Sequence, residues 1–592
     1  IKESTILTNT FEGNNHKITG MTITGEQETK DIGLFAVSQA SINHLILEDV
    51  NIHDITFYEN ARSKVETKYS AENIGSIVGT LIGKNEQRIN KCQALGNISA
   101  QLNLEKNDEN VNSIHIGGII GYITSNDEIV SVENCTNKIK IEGQEEEFCK
   151  DLLCVGGIIG GSDSNLSIFN CSNNGDINLK TQTVYGEENN FVSGIVSIIY
   201  EGNVKIIKSN NYAEIKGITS SGIVTKTTDY NRSDYTSEHD LKINLTIDNC
   251  VNYGYIKGGG AAKAAAGIVA YALGENIVIN NSRNEGEIFG NSISGGIIGS
   301  VSLIDNLKIY NCKNLNHLIG GESQSISGGI LGYICNDNKV KNIEITDCIN
   351  EKNGNILNSL GESGGIVGII ALINDSDEML IDNCINKADI LLSDYSNDKG
   401  NWNVGGIIGH ISFEGEELKV INCKNYGDIK GYYGIGGIIG TIGADKSIEI
   451  EKCINEGSIY GIQATGGIVG RTLSYDKNDN TAGVTYECVN KGNVYAGKTY
   501  VNLENKINAT GVGIMIGGIV GENAKMWRYE NCENNGAIIS YGKVDPNIGG
   551  IAGYIVKNKT TIINCKNNGE LSLPNYTGDK ELCCGEIIGK EN

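Results

Sequence analysis

Proline is almost absent from this chain of 592 residues, with 2 against 77 glycines. So little proline excludes collagen and proline-rich linkers, and 39% hydrophobic residues exclude wholesale disorder. Long apolar runs are missing as well. None approaches the roughly 18 to 20 residues that a membrane-spanning helix needs, so no membrane insertion is expected. Positive charge is in deficit: 48 Lys and Arg against 72 Asp and Glu leave a formal charge of -24. Without a basic face, sequence-independent binding to nucleic acid is not expected. The chain opens at Ile1 with neither an initiator Met nor a charged segment before an apolar one, as expected for a processed or partial chain and compatible with export.

What fills the chain is one glycine block, repeated. Residues 405 to 440 hold two copies, Gly405 to Gly409 and Gly436 to Gly440, both Gly-Gly-Ile-Ile-Gly. Variants start at Gly33, Gly75, Gly117, Gly156, Gly295, Gly328, Gly364, Gly466, Gly517, Gly549 and Gly585, and in Ser or Ala form at Ser193, Ser221 and Ala266. Between blocks comes a second element, marked by Cys92, Cys135, Cys171, Cys250, Cys312, Cys348, Cys384, Cys423, Cys453, Cys488, Cys532 and Cys565, with Ser209 and Ser282 in the same slot. The period wanders between about 30 and 44 residues, the range of solenoids.

Counting from the Cys, Asn recurs at the second following position, Gly or Ala at the fourth and an aliphatic residue at the sixth. The positions between them vary freely. Side chains alternate faces along a strand, so the recurring set points inward and the variable set outward. Before the Cys, the apolar pair Leu418 and Val420 has the opposite parity, which requires a corner at about Ile421-Asn422. The expected fold is therefore all-β, a parallel β-helix (β-solenoid) of about fifteen coils, each with about three short strands. A β-propeller is the rival at this period, but its hairpin turns are not found at hairpin spacing. Residues 1 to 60 read as leader or capping coils and 61 to 592 as the repeat array. Polar insertions are expected near 142 to 154, 225 to 243 and 475 to 512, where a rigid scaffold usually carries its binding loops.

These elements resemble the GLUG repeat of bacterial surface proteins, whose units run Gly-Gly-Ile/Leu-Val-Gly and then Asn-Cys/Ser-x-Asn-x-Gly-x-Ile. The segment Phe11 to Ile23 is similar to the one that often precedes such arrays. The resemblance implies a secreted or cell-surface solenoid used as an adhesin stalk or binding region, and it carries over no catalytic residue.

Site by site, the sequence predicts structure more than chemistry. The cysteines come one per coil, so Cys171, Cys250, Cys312, Cys348, Cys384, Cys423, Cys453, Cys488, Cys532 and Cys565 are expected as a ladder of small buried thiols in preference to rung-to-rung disulfides. Asn173, Asn252, Asn314, Asn350, Asn386, Asn425, Asn455, Asn490, Asn534 and Asn567 are expected as a second ladder, each amide bonding the next coil and tolerating a left-handed backbone. Cys149 and Cys154 lie off the ladder and form a candidate disulfide; Cys335, Cys583 and Cys584 are also off it. The seven histidines, His16, His44, His53, His115, His239, His317 and His410, show no metal-ligand spacing and no accompanying nucleophile motif. Outward acids such as Glu287, Asp428 and Glu456 change from coil to coil, as a solvated face does. Turns rich in Asp and Asn would suit calcium, but no calcium-loop motif occurs, so no metal or cofactor is assigned.

The expectation is thus a non-enzymatic extracellular scaffold whose partner is a host or matrix glycan or protein. The alternatives are a filament subunit joined through solenoid ends, and a carbohydrate-active β-helix enzyme. Ile407 and Ile408 pose one difficulty. Strict alternation turns one of each such pair outward, giving an exposed aliphatic stripe that an insertion or another chain should cover.

Overall fold

Each coil is drawn inward by alternating aliphatic residues and turned by glycine and left-handed asparagine. The computed structural model describes residues 6–27, 30–57, 71–84, 87–99, 102–103, 113–125, 127–144, 152–180, 190–228, 242–260, 263–321, 325–335, 340–357, 361–372, 378–391, 402–413, 415–444, 447–473, 483–496, 514–541, 546–574, 576 and 584–591. Two compact units result, Ile1–Gly290 and Asn291–Asn592. Both are parallel β-solenoids, and the described residues contain no helix. Much of insertions 142 to 154, 225 to 243 and 475 to 512 lies outside the described residues, as do Cys149, Cys583 and His239.

One coil of the second unit shows the plan. Trp402–Gly405 forms the first face, Ile408–Phe413 and Glu417–Ile421 the second, and Lys424–Asn425 and Ile429–Lys430 the third. There are thus three faces, as expected, but two of them are broken into a pair of short strands. Every strand pairs in parallel and in register with its counterpart one coil on, Val404 with Ile435, Ile411 with Ile442, Val420 with Ile450 and Ile429 with Ile459. Strands of the first face number seven in the first unit and nine in the second, so the described residues make sixteen coils. The segment read as a leader is paired the same way, Phe11 with Ile42 and Lys17 with Ile46.

The aliphatic rows fill the interior. Val404, Ile408, Ile411, Leu418, Val420 and Ile429 are all fully buried, each contributing about 1.5–3 kcal/mol by leaving water. Since a coil buries these residues only against its neighbours, one coil alone has no core.

Among the described residues the repeated aliphatic pairs form no exposed stripe. Ile407 and Ile408 are both 0% exposed, as are Ile438 with Ile439 and Ile119 with Ile120. The expectation failed because it assumed a continuous strand. The chain turns a corner between Gly405 and Ile408, and at a corner two consecutive side chains can point to the same interior. Self-association through such a stripe falls with it. The other corner is where expected, and its agent is the residue just before the Cys. Asn422 has φ 55°, and Asn383, Asn531 and Asn564 adopt the same left-handed state.

The glycine block owes its recurrence to close approach, since none of its glycines is among those with positive φ. A Cβ on Gly405 would lie 2.7 Å from the nitrogen of Gly440, the third glycine of the next coil, and Gly364 meets Gly409 in the same way. The first glycine also lets its own block turn tightly, since a Cβ on Gly405 would overlap the Ile408 carbonyl, and first and third glycines together let two coils touch at the re-entrant corner. The second glycine looks inward. A Cβ on Gly406 would overlap the Gly437 carbonyl and the Asn425 side chain, and Gly365, Gly437 and Gly467 meet Asn386, Asn455 and Asn490 likewise.

Candidate functional site

Inside the coil, opposite that second glycine, runs the asparagine ladder. Asn425 Nδ2 donates to Asn455 Oδ1 at 2.8 Å and to the Gly427 carbonyl at 2.9 Å, while its Oδ1 accepts from Asn386 Nδ2 at 2.8 Å. The second unit repeats this from Asn314 through Asn350, Asn386, Asn425, Asn455, Asn490 and Asn534 to Asn567. In the first unit the chain of amides is Asn137, Asn173, Asn211, Asn252 and Asn284. Asn137, Asn211 and Asn284 are rungs beyond those singled out from sequence. Their spacing from Cys135, Ser209 and Ser282 is the signal that marks them. The ladder amides are not the left-handed residues; that role belongs to the position before the Cys.

The cysteines stack two residues before the asparagines, and among the described residues all are free thiols. Cys423 Sγ donates to the carbonyls of Ile421 at 3.3 Å and of Ile381, one coil back, at 3.6 Å. Ser209 and Ser282 fill the slot with the same bond, to Ile207 at 3.1 Å and Asn280 at 2.8 Å. Burial pushes the Cys250 thiol up to about 12 and those of Cys384 and Cys423 well above the usual range. Neutral thiols are poor nucleophiles, so Cys250, Cys384 and Cys423 serve packing. Off the ladder, Cys335 and Cys584 are half-buried.

The re-entrant corner collects the polar side chains that the sequence left scattered. Two rows face each other there, one at two residues before the first glycine, the other just after the third. In the first unit these rows are sealed from Asp31 to Tyr122. Asp31 accepts from Asn73 Nδ2 at 3.2 Å and from the Thr80 hydroxyl. Asn73 Oδ1 contacts His115 Nδ1 at 3.0 Å, and His115 Nε2 reaches the Tyr200 hydroxyl at 2.9 Å. Tyr122 packs on the imidazole at 4.6 Å between centroids, and Cys154 follows His115 in register. Cysteine, histidine and asparagine in one place suggest a nucleophilic triad, but the environment opposes it. Burial drives Cys154 up to about 12 and His115 down to about 3, leaving a neutral thiol beside a neutral ring. The partner suggested for Cys154, Cys149, lies outside the described residues. Lys226 lies 5.0 Å from the Phe191 ring centroid, and burial, then the charge of Lys263, brings it down to about 8.

A nearby carboxyl, Asp163, is pushed up to about 6 by burial. Its titration and that of His115 oppose each other. In the unfolded chain His115 gains a proton below its ordinary value of 6.5 and Asp163 below 3.8; in the folded chain these events move to about 3 and about 6. Between pH 6 and 3.8 each state therefore binds one proton from this pair, and their effects on stability offset. Asp163→Asn removes the offset. Relative to the unmodified chain, the variant is expected to lose about 1.4 kcal/mol per pH unit on acidification through this window, about 3 kcal/mol in all. Urea titrations at pH 7, 6, 5 and 4 measure it, and parallel profiles for the two chains would contradict it.

In the second unit the same two rows stay half-open. Glu362 Oε1 accepts from Asn403 Nδ2 at 2.7 Å and pairs with His410 Nδ1 at 2.8 Å, while His410 Nε2 is buried without a partner. Thr441 donates to Asn403 Oδ1 and accepts from Arg471 Nε at 3.1 Å. The Arg471 guanidinium lies 3.9 Å from the Tyr433 ring centroid, and the Tyr433 hydroxyl donates to Glu522 Oε2 at 3.5 Å. Burial raises the Glu522 carboxyl, partly offset by Arg471. His410, Thr441, Arg471, Glu522 and Tyr554 follow one another in register on successive coils.

Two further histidines and some outward acids make surface contacts. His44 meets Glu12 and His53 meets Asp54, each at 2.8 Å. Glu456 pairs with Lys491 at 2.9 Å, and Asp428 accepts from the Ser458 amide at 3.0 Å. No group of three or more His, Cys, Asp or Glu able to hold a metal ion occurs among the described residues. Compared with family models, curated proteins and solved structures, the chain finds no match.

Proposed function

We propose that the chain is a non-catalytic scaffold that acts outside the cell as an adhesin-type stalk and binding surface. One observation carries this reading: the recurring glycines, asparagines and thiols are spent on holding coil to coil, while the outward positions differ from coil to coil. A scaffold of this kind keeps its backbone and varies its surface, as binding arrays do. The resemblance of the repeat to those of bacterial surface proteins supports the location. Free thiols are compatible with an oxidising compartment here because the ladder is shielded from oxidants by burial. Beads coated with the full chain should attach to glycan-coated or matrix-coated surfaces more strongly than beads of matched charge. Equal attachment on every surface would overturn the reading.

A further inference from the structure

The same outer corner is closed around His115 and half-open around Arg471. Tyr122 and His115 are fully buried in the first unit, whereas Glu362, His410, Tyr433, Arg471 and Glu522 in the second all retain exposure. These five line a re-entrant strip across five consecutive coils, which at the usual strand spacing spans roughly 20 Å.

We propose that this strip, from Glu362 to Glu522, binds an uncharged linear polysaccharide laid along the stack of coils. The proposal rests on reading the chain as a binding scaffold and names the partner of one surface on it. Three features select this occupant. The first is charge balance within the strip. The Glu362 carboxylate is held by Asn403 and His410, and the Arg471 guanidinium sits beside Glu522, so little net charge is offered to a polyanion. The second is chemistry. The half-exposed side chains are carboxylate, imidazole, phenol and guanidinium groups, donors and acceptors suited to sugar hydroxyls, with the Tyr433 ring among them; Asn403 and Thr441 are buried beneath and hold them in place. The third is periodicity: groups repeat once per coil, at about 4.8 Å, close to the length of one pyranose unit. An extended peptide is disfavoured because strand addition needs a free edge, and here both neighbours of each strand are already paired. The stacked surface tyrosines are weaker candidates. Tyr212 and Tyr253 stack 4.7 Å apart at 5°, a platform of two adjacent coils against the strip's five.

Calorimetry of the full chain with cello-, xylo-, manno- and maltohexaose, each against its disaccharide, tests the proposal. At least one series should gain tenfold or more in affinity from disaccharide to hexasaccharide. Tyr433→Ala and Arg471→Gln should each lower hexasaccharide affinity at least tenfold, and Tyr253→Ala should leave it unchanged. Arg471→Gln keeps a polar side chain at the site, so it serves alone if Tyr433→Ala does not fold. Absence of binding to all four hexasaccharides, binding indifferent to the variants, or preference for polygalacturonate would overturn the proposal. Bead attachment measured in parallel separates the two readings. Attachment that survives both groove variants rejects the groove alone, and absence of attachment by the unmodified chain rejects the scaffold reading.

Discussion

Gly406→Ala is expected to destabilise the unit Asn291–Asn592 by about 3 kcal/mol or more, the cost of overpacking a core that cannot relax. The added methyl has two neighbours, the Gly437 carbonyl and the Asn425 side chain, and both are closer than a real Cβ allows. Neither can give way. The Gly437 carbonyl belongs to a coil held in register on both sides, and Asn425 is fixed by three hydrogen bonds. Removing the Asn425 side chain as well should not rescue the variant, because the carbonyl remains. Lys424→Ala, on the outward face of the same coil, should change stability by no more than about 0.5 kcal/mol. Urea unfolding of the three chains measures the effect, and a midpoint for Gly406→Ala equal to that of Lys424→Ala would refute the account. The outcome bears on origin as much as on stability, since it asks whether the glycine block is there for space or for backbone freedom.

The second large effect belongs to Asn425→Asp, a change of shape so small that packing alone would predict almost none. The ladder uses both N–H groups of the amide, one toward Asn455 Oδ1 and one toward the Gly427 carbonyl. Aspartate replaces that nitrogen with an oxygen facing two acceptors, and it introduces a charge at a position 0% exposed. Each unmet buried partner costs about 1–3 kcal/mol, and the charge adds to this, so about 4 kcal/mol or more is expected at pH 7. Burial and the facing acceptors would raise the new carboxyl's pKa above its unfolded value. The folded state then binds the extra proton, and the variant should recover stability as pH falls from 7 toward 4. Asn567→Asp should cost less, because that rung is only partly buried. Equal losses at pH 7 and pH 4, or equal losses at the two rungs, would contradict the ladder's role.

Much of this was readable from residues alone, for a physical reason particular to repeats. When one backbone position recurs in every coil, its side-chain requirement recurs in the sequence. The slots of Cys423 and Asn425, the inward aliphatic rows and the corner at Asn422 could therefore be placed by counting in twos. Counting in twos also produced the main error. It holds along a strand and fails where the strand ends, so Ile407 and Ile408 looked like an outward stripe when both sit inside a corner. The glycines were visible as a pattern, but their purpose was not. Nothing in Gly-Gly-Ile-Ile-Gly says that its first and third members touch the neighbouring coils, or that its second faces an asparagine about twenty positions along the chain.

The polar corner was the least legible feature. Asp31, Asn73 and His115 are 42 residues apart from one another in succession, as are Asn73 and His115 in their hydrogen bond, and no local signal joins them. Register alone brings them together, because a parallel coil places residues one period apart side by side. The class of fold, the period and the inward ladders were legible in the residues alone, since each depends on what every coil repeats. Only the folded coils show which outward residues meet, how completely His115 and Cys154 are withdrawn from water, and that the equivalent corner around Arg471 stays half-open. Those outcomes depend on how unlike side chains of neighbouring coils fill one shared corner, and no single coil contains that information.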